Sequence, residues 1–322
     1  HAQPPVRLIL GKRVTMNPAT KLILVLHRYL GVVVGALMTL WCLSGFVMMY
    51  QAYPSLTEAE QLRGLQPLDL AGCCGGARLD LADNAKIGGF RIEMLNGEPV
   101  IRLAPSRGRG GGAIHSLITG KTLAGFSDAQ LLDVAVRYGR HAGVNGKPRD
   151  LGVIATDQWT LEGYKRNQPI RHIRFDDAAG TDIYIAGDRA EVFQQTTRRE
   201  RVISWFGAVP HWLYPTALRQ NVPLWSQIVI WTSVCGVFLT VTGLYIGVAR
   251  FKRRRDGRWS PCRGWWFWHH MIGLVFGALT LTWVASGLLT MSPWGLLEGD
   301  RNPAQGVYSP PLSGAEVKAF VS

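Results

Sequence analysis

The chain has 322 residues and a net charge of +13, and 47% of its residues are apolar while only 18% are charged. Residues 29–57, 224–249 and 264–297 contain no Asp, Glu, Lys or Arg, and each stretch is longer than the ~20 residues that cross a bilayer. These features exclude a purely soluble, a disordered or a collagen-like chain, and they argue against a nucleic-acid partner.

Most of the positive charge lies in two short segments: residues 1–28 carry +5, and residues 250–264 carry +6. Basic segments beside membrane spans remain in the cytoplasm, and their attraction to membrane lipid requires no other anionic partner. The predicted order is a cytoplasmic N-terminus at 1–21, a span at 22–49, an outer domain at 50–223, a span at 224–249, a basic cytoplasmic loop at 250–264, a span at 265–291 and an outer tail at 292–322.

The outer domain is predicted to be α+β. Asn96-Gly97 is a strong signal for a hairpin turn, and Ser127 with Gln130 predicts the capping box of a helix that runs to about Arg140. Hairpins packed against this helix would form a small sandwich. Three hairpins are predicted, at Phe90–Leu95 with Pro99–Leu103, Ile114–Ile118 with Lys121–Ala124, and Ile170–Phe175 with Thr181–Ile185.

Three other features of this domain have simple interpretations. Cys73 and Cys74 form either two thiols or a vicinal disulfide, and a loop of small residues is the simpler interpretation. The Gly/Arg run at Arg107–Gly112 lacks the strand-to-helix context of a phosphate site and indicates a loop. The domain's histidines are isolated from any nucleophile, so no hydrolytic site is predicted.

The most informative feature is an internal repeat. With a shift of 242 residues, positions 27–49 align with 269–291, and ten of 23 positions are identical, including a His, a Trp and three Gly. Composition alone does not place these residue types in register in two unrelated apolar helices. Both copies enter the membrane from the cytoplasmic side, so their histidines lie at matching depth.

The spacing within the repeat indicates a haem site. A histidine followed by glycines at i+4 and i+8 presents an imidazole beside a strip without side chains, against which a flat porphyrin can lie. The two copies are His27, Gly31 and Gly35 in the first span and His269, Gly273 and Gly277 in the third. We therefore predict that His27 and His269 are the axial ligands of one haem b. Helix packing is the alternative for the glycines, and His270, about 100° away on the helix, is the weaker candidate ligand.

A second candidate site lies in residues 205–215, where His211 stands among aromatic side chains. The cluster is either an interfacial aromatic belt or the site of a second haem, which would complete a route across the apolar core. The other ligand of this haem would come from the outer domain, with His115 favoured over His172, from the tail, or from a segment outside this sequence. The sequence contains no Cys-x-x-Cys-His, so two non-covalently bound haems b are predicted per chain.

Several motifs resemble the PepSY-associated transmembrane family, and in particular its ferric-siderophore reductases of the ferrioxamine type. They are LHRYLG at 26–31, DQWT at 157–160, TTRRERVISWFGAVPHWLYPTALR at 196–219 and VTGLYIG at 241–247. The resemblance implies a di-haem protein of the bacterial inner membrane with a periplasmic PepSY-like domain. It implies that the protein reduces siderophore-bound Fe(III) in the periplasm, with His27, His211 and His269 as haem ligands.

Three functions remain open from the sequence. The first is a ferric-siderophore reductase supplied with electrons by a quinone or a cytoplasmic reductase, since no nucleotide-binding fingerprint is present. The second is a cytochrome b-type subunit that serves a protein or quinone partner, and the third is a non-redox membrane anchor for a PepSY binding module. Five outer arginines either steer an anionic ligand or form a solvated surface: Arg107, Arg109, Arg198, Arg199 and Arg201.

Overall fold

The computed structural model describes residues 17–71, 73, 79–106, 112–253, 257–297 and 310–321. The chain divides into two compact units. Among the described residues, the first unit comprises 17–40 and 223–297, and the second comprises 41–222 and 310–321.

The elements follow one another in this order along the chain. The helices are α1 (Pro18–Met48), α2 (Glu58–Gly64), α3 (Asp128–Ala142), α4 (Arg198–Ser204), α5 (Ala208–His211), α6 (Thr216–Arg219), α7 (Val222–Arg250), α8 (Trp265–Thr290) and α9 (Gly314–Val321). The strands are β1 (Lys86–Leu95), β2 (Glu98–Pro105), β3 (Ile114–Ser116), β4 (Thr122–Leu123), β5 (Pro148–Ile154), β6 (Ile170–Phe175), β7 (Asp182–Ala186), β8 (Glu191–Thr196) and β9 (Leu312–Ser313).

Three helices, α1, α7 and α8, are long and apolar enough to cross a membrane, which confirms the transmembrane character predicted from the sequence. They have 31, 29 and 26 residues, and mean hydropathies of 2.1, 1.8 and 1.9. Pro18 follows the capping residue Asn17, whose side chain accepts a hydrogen bond from the Ala19 amide at 3.0 Å. Most of the large apolar side chains of α1, α7 and α8 are exposed, as expected for surfaces that face lipid.

The second unit contains two antiparallel sheets, which confirms the predicted α+β region. The strand orders are β4-β3-β2-β1-β9 and β5-β6-β7-β8. Asn96 and Gly97 both have positive φ, 50° and 85°, and connect β1 to β2 as the sequence predicted. The hairpin of β6 and β7 is also confirmed, with Ile173 opposite Ile183.

Helix α3 packs into the core between residues of both sheets. Its capping box is the predicted one: the Ser127 amide donates to Gln130 Oε1 at 2.8 Å, and the Gln130 amide donates to Ser127 Oγ at 3.3 Å. Its buried face carries Leu131 and Ala135, which belong to one core cluster with Val100 of β2 and Ile183 of β7. The capping residues and the apolar face therefore favour a helix over the same residues.

The segment after α8 returns to the second unit, which the sequence analysis did not predict. Leu312 of β9 lies opposite Ile87 of β1, and Val317 and Val321 of α9 belong to a core cluster with Ile101. The segments that follow α1 and α8 are therefore parts of one folded unit. A chain with three spans allows this arrangement, because it leaves both segments on the same side of a membrane.

Asp182 lies at the centre of a charged cluster in the second sheet. Its side chain is 1% exposed, and its carboxylate accepts hydrogen bonds from Arg174 at 2.7 and 2.8 Å. Arg201 and His172 lie 3.2 and 3.3 Å from the same carboxylate. Burial alone raises the pKa of Asp182, but these partners outweigh it and hold the pKa at about 2, against 3.8 for the unperturbed group.

We expect this carboxylate to make the second unit sensitive to acid. The folded pKa lies below the unfolded value, so the stabilisation is present above pH 4 and is lost as the pH falls through about 2. The Asp182→Asn variant should lose about 2 kcal/mol of stability at neutral pH and show a weaker pH dependence between pH 4 and 2. Thermal unfolding followed by circular dichroism tests this, with the exposed Asp176→Asn as control. Equal behaviour of both variants would contradict it.

Candidate functional site

The structure brings His27 and His269 together, as the repeat predicted. His27 lies on α1 and His269 on α8, 242 residues apart, and their ring centroids are 6.4 Å apart with an interplanar angle of 56°. Both residues belong to the first unit, and His27 is half-buried while His269 is exposed. Two apolar helices thus place two imidazole rings within 6.4 Å of each other.

The separation of the two rings fits a shared metal ion. Two imidazole nitrogens that each bind one metal ion at about 2 Å place their ring centres about 6 Å apart, close to the observed distance. A haem iron takes four nitrogen ligands from its macrocycle, so two histidines complete its coordination. Within the part of the chain that the structure describes, no group of three or more His, Cys, Asp or Glu side chains is arranged to hold a metal ion.

Helix α7 orients the ring of His27. His27 Nδ1 lies 3.3 Å from Thr242 Oγ1, and this hydroxyl donates its own hydrogen to the Phe238 carbonyl at 2.9 Å. The hydroxyl is therefore an acceptor for Nδ1–H, and the proton on Nδ1 leaves the lone pair of Nε2 for a metal ion. A side chain that fixes the tautomer in this way is typical of metal-binding histidines.

Gly243 gives the His27 ring its space. A Cβ at this position would lie 2.8 Å from His27 Cε1, so a larger residue would displace the ring. Sequence analysis identified Thr242 and Gly243 only as part of the VTGLYIG motif and gave them no role. A contact between residues 216 positions apart leaves no periodic signal in the sequence.

Two of the four glycines that follow His27 and His269 lie beside open space. A Cβ on Gly35 or Gly273 would meet nothing within 4 Å, and one on Gly31 would meet only Leu239 Cδ1, at 3.7 Å. Gly277 differs, because a Cβ there would lie 2.5 Å from Leu244 Cδ2. Gly35 and Gly273 are therefore compatible with a planar group beside the histidines, whereas Gly31 is in ordinary contact with Leu239 of α7 and Gly277 permits close packing of α8 on α7.

His270 has a structural role. Its Nδ1 accepts a hydrogen bond from Ser260 Oγ at 2.7 Å, and its Nε2 donates to the Gly247 carbonyl at 2.9 Å. Both ring nitrogens are engaged, so the side chain connects the start of α8 to the end of α7. This arrangement favours His269 over His270 as a metal ligand.

His211 is held by the C-terminal part of α1, within the second unit. Its ring stacks on Trp41 with centroids 4.9 Å apart and planes 12° apart, and its Nδ1 lies 3.0 Å from the Trp41 carbonyl and 3.4 Å from Ser44 Oγ. A Cβ on Gly45 would lie 2.8 Å from His211 Cε1. We call Trp41, Ser44 and Gly45 the imidazole seat. Since Nδ1–H donates to the carbonyl, Nε2 retains the lone pair that can bind a metal ion.

The repeat places the same three residue types on α8, as Trp283, Ser286 and Gly287. Ser286 Oγ donates to the Trp283 carbonyl at 2.9 Å, as Ser44 Oγ does to the Trp41 carbonyl. A Cβ on Gly287 would meet nothing within 4 Å. The position of Gly45 on α1 is therefore in contact with an imidazole, whereas the position of Gly287 on α8 lies beside open space.

His115 and His172, the candidate partners of His211, lie on strands of the two sheets of the second unit. His115 on β3 is 2% exposed, its Nδ1 is 3.3 Å from Thr122 Oγ1, and burial lowers its pKa. His172 on β6 stacks on Tyr184 with ring centroids 4.5 Å apart. Either residue as the partner of His211 stays a prediction. Metal binding by His115 would require β3 to move, because its ring is enclosed.

The structure also describes one of the two adjacent cysteines and three of the five arginines singled out in the sequence. Cys73 is disulfide-bonded, which is one of the two alternatives that the sequence left open for this residue, while Cys74 lies outside the described residues. Arg107 and Arg109 also lie outside them. Arg201 supports the interior of its sheet through Asp182 and the Thr196 carbonyl, whereas Arg198 and Arg199 are exposed.

Comparisons of the chain with protein-family models, with curated proteins and with solved structures gave no match.

The close glycines give a direct test of both histidine sites. We expect Gly243→Ala to displace His27 and to change the absorption and electron paramagnetic resonance signals of a haem held there, with little loss of folding. Gly45→Ala should act in the same way on His211. Gly287→Ala, which fills open space on α8, is the matched control. Unchanged spectra in all three variants would contradict the assignment of His27 and His211.

Proposed function

We propose that this chain is a haem-containing oxidoreductase of the membrane that reduces Fe(III) bound to a siderophore. The observation that carries the proposal is the pair His27 and His269, whose rings are 6.4 Å apart on two membrane-spanning helices. Ionisable side chains within spans are costly, and a paired arrangement without a function is not expected. A bound haem b would supply one-electron chemistry at this pair.

The side chains of this site would hold and orient the haem, and they would transfer no proton to the substrate. His27 and His269 would bind the iron through Nε2, while Thr242 keeps the proton of His27 on Nδ1. The open positions at Gly35 and Gly273 would admit the macrocycle. Fe(II) binds the hard oxygen ligands of siderophores weakly, so reduction alone releases the metal.

The surroundings of His211 are the basis for proposing a second haem. Its seat fixes one ring nitrogen and leaves the other available, the same division of roles that Thr242 imposes on His27. We propose two haems b per chain, with His115 as the candidate second ligand of the His211 haem. Electrons from a quinone or a cytoplasmic reductase would reach the first haem and then pass to the second.

The family and the location belong to the same proposal. The motifs around LHRYLG and GAVPHWLYPTALR support membership of the PepSY-associated transmembrane family. The basic segments at 1–28 and 250–264 support a cytoplasmic position for both, in the inner membrane of a bacterium. The second unit would then be the periplasmic domain, and the return of β9 to β1 agrees with that arrangement.

Haem content tests the ligands. The purified protein should show a Soret band and, by the pyridine haemochromogen method, two haems b per chain. His27→Ala and His269→Ala should each lose one haem, His211→Ala should lose the other, and His141→Ala, an exposed position at the end of α3, should lose neither. A protein without a Soret band would exclude the redox function and favour a non-redox binding module.

Iron reduction separates the two redox functions. Dithionite-reduced protein, freed of excess reductant under anaerobic conditions, should be reoxidised by a ferric siderophore and should yield Fe(II) that ferrozine captures. We expect His211→Ala to abolish this activity while the His27–His269 haem remains reducible. Reoxidation by a quinone but not by ferric siderophores would favour a cytochrome b-type subunit instead.

A further inference from the structure

A small pocket in the first unit lies where α7 ends and α8 begins. Its volume is about 380 Å³, within the range of pockets that bind small molecules. Phe251, which directly follows α7, lines it together with Phe267 and Met271 from the first two turns of α8. Residues of the connecting segment complete the lining: Arg258, Trp259, Ser260 and Cys262. The pocket therefore lies at the end of α8 that carries His269.

Stacked aromatic rings form one wall of this pocket. The rings of Phe251 and Trp259 have centroids 5.5 Å apart and planes 23° apart, and the Lys252 amide donates to the Trp259 carbonyl at 3.1 Å. Phe251 also meets the edge of His270, whose Nε2 donates to the Gly247 carbonyl at 2.9 Å. These contacts fix the wall before a ligand arrives, which lowers the entropic cost of binding. A flat ring can lie against such a surface.

A buried hydroxyl group gives the pocket its polar contact. Ser260 lines the pocket and is 3% exposed. Its Oγ donates to His270 Nδ1 at 2.7 Å and accepts a hydrogen bond from the Cys262 amide at 3.1 Å. A hydroxyl has one hydrogen and two lone pairs, so within the described part of the chain one lone pair of Ser260 Oγ is left over. The pocket therefore offers an acceptor to a ligand that carries a hydroxyl group.

The start of α8 has the composition of a membrane–water interface. Four consecutive aromatic side chains, all of them exposed, open this helix: Trp265, Trp266, Phe267 and Trp268. Clusters of this kind are typical of the level of the lipid head groups. A lipid-soluble molecule with a polar head and a long apolar tail has its head at the same level. Such a molecule can reach the pocket from the bilayer.

The pocket lies on the side of α8 that faces away from His269. Phe267 and Met271 are four residues apart and share one face of the helix, and His269 falls midway between them in sequence. At about 100° per residue, its side chain points roughly 160° away from theirs. A helix with its side chains is about 10 Å across, so about one helix diameter separates the pocket from the His269 ring. Electrons tunnel between groups in proteins over such a distance.

We propose that this pocket binds the head group of a membrane quinol, the electron donor of the proposed function, on which this inference rests. One ring hydroxyl of the quinol would donate to Ser260 Oγ, and the ring would lie against Phe251 and Trp259. The isoprenoid tail would extend into the lipid. The oxidised quinone has carbonyl oxygens in place of the hydroxyls and no hydrogen for the lone pair of Ser260, so the pocket favours the reduced form.

Oxidation of the quinol balances with the proposed reduction of iron. The quinol gives up two electrons and its two hydroxyl protons and becomes the quinone. Two ferric siderophores take up one electron each, and their Fe(III) becomes Fe(II). Both protons pass to the water at this end of the helices. The quinone then leaves more readily than the quinol, because it has lost the hydrogen bond to Ser260.

Binding can be measured without electron transfer. Isothermal titration calorimetry of the purified full chain in detergent would follow decylubiquinol added to the dithionite-reduced chain and decylubiquinone added to the oxidised chain. Neither pair can exchange an electron. We expect the quinol to bind more tightly than the quinone, and we expect Ser260→Ala to remove this preference.

Two pairs of variants locate the bound quinol. Trp259→Ala should weaken its binding roughly tenfold, whereas Trp265→Ala, the same change at an exposed position outside the lining, should not. Cys262→Phe should abolish binding because the larger side chain fills the pocket. Cys262→Ser, which keeps the volume, should retain it.

The outcomes separate this inference from the proposed function. If Trp259→Ala and Cys262→Phe bind decylubiquinol as tightly as the unmodified chain, or if the quinone binds as tightly as the quinol, the inference is overturned even when the protein reduces ferric siderophores. A flavin or a phospholipid that mass spectrometry finds in the pocket of the purified chain, and that decylubiquinol does not displace, would overturn it as well. If the quinol binds in the pocket but the chain shows no Soret band, the quinol site stands and the reductase function falls.

Discussion

The approach of His27 to His269 is the constraint on which the rest of the first unit depends. Two imidazoles in an apolar bundle cost solvation free energy unless each finds a partner, and a shared iron would supply it for both. Three helices have to meet for this: α1 and α8 carry the rings, and α7 supplies Thr242 and Gly243. Close packing of α8 on α7 at Gly277 brings the third helix within reach.

The same physical solution recurs at His211. In both places a glycine on the neighbouring helix leaves room for the imidazole ring, and an oxygen acceptor lies at Nδ1. For His27 these are Gly243 and the Thr242 hydroxyl; for His211 they are Gly45 and the Trp41 carbonyl. Both arrangements select the tautomer with a free Nε2. This common geometry is a stronger argument for metal binding than the presence of a histidine near a membrane surface, which occurs for many other reasons.

The features predictable from the sequence are those with a local period or a repeat. The three spans, the β1–β2 turn and the Ser127 cap follow from hydropathy, φ > 0 preferences and capping chemistry, all within a few residues. The pairing of His27 with His269 was also predictable, because the repeat marks both partners. Thr242 and Gly243 were not, since they belong to a helix outside the repeat. Strand β9 was missed because two residues carry no alternation pattern.

The two copies of the repeat show which parts of a helix determine a site and which only permit it. Trp41, Ser44 and Gly45 on α1 and their counterparts on α8 share one backbone pattern, with Ser Oγ donating to the Trp carbonyl in each. Yet Gly45 is in contact with an imidazole while Gly287 lies beside open space, because the WFGAVPHWLYP segment brings His211 against α1. The seat is encoded in the span, whereas its occupant is encoded in the segment that contains α5. Glycine and serine in a span therefore indicate where a ligand can be held, and the ligand itself must be sought in the segments that the fold brings against them.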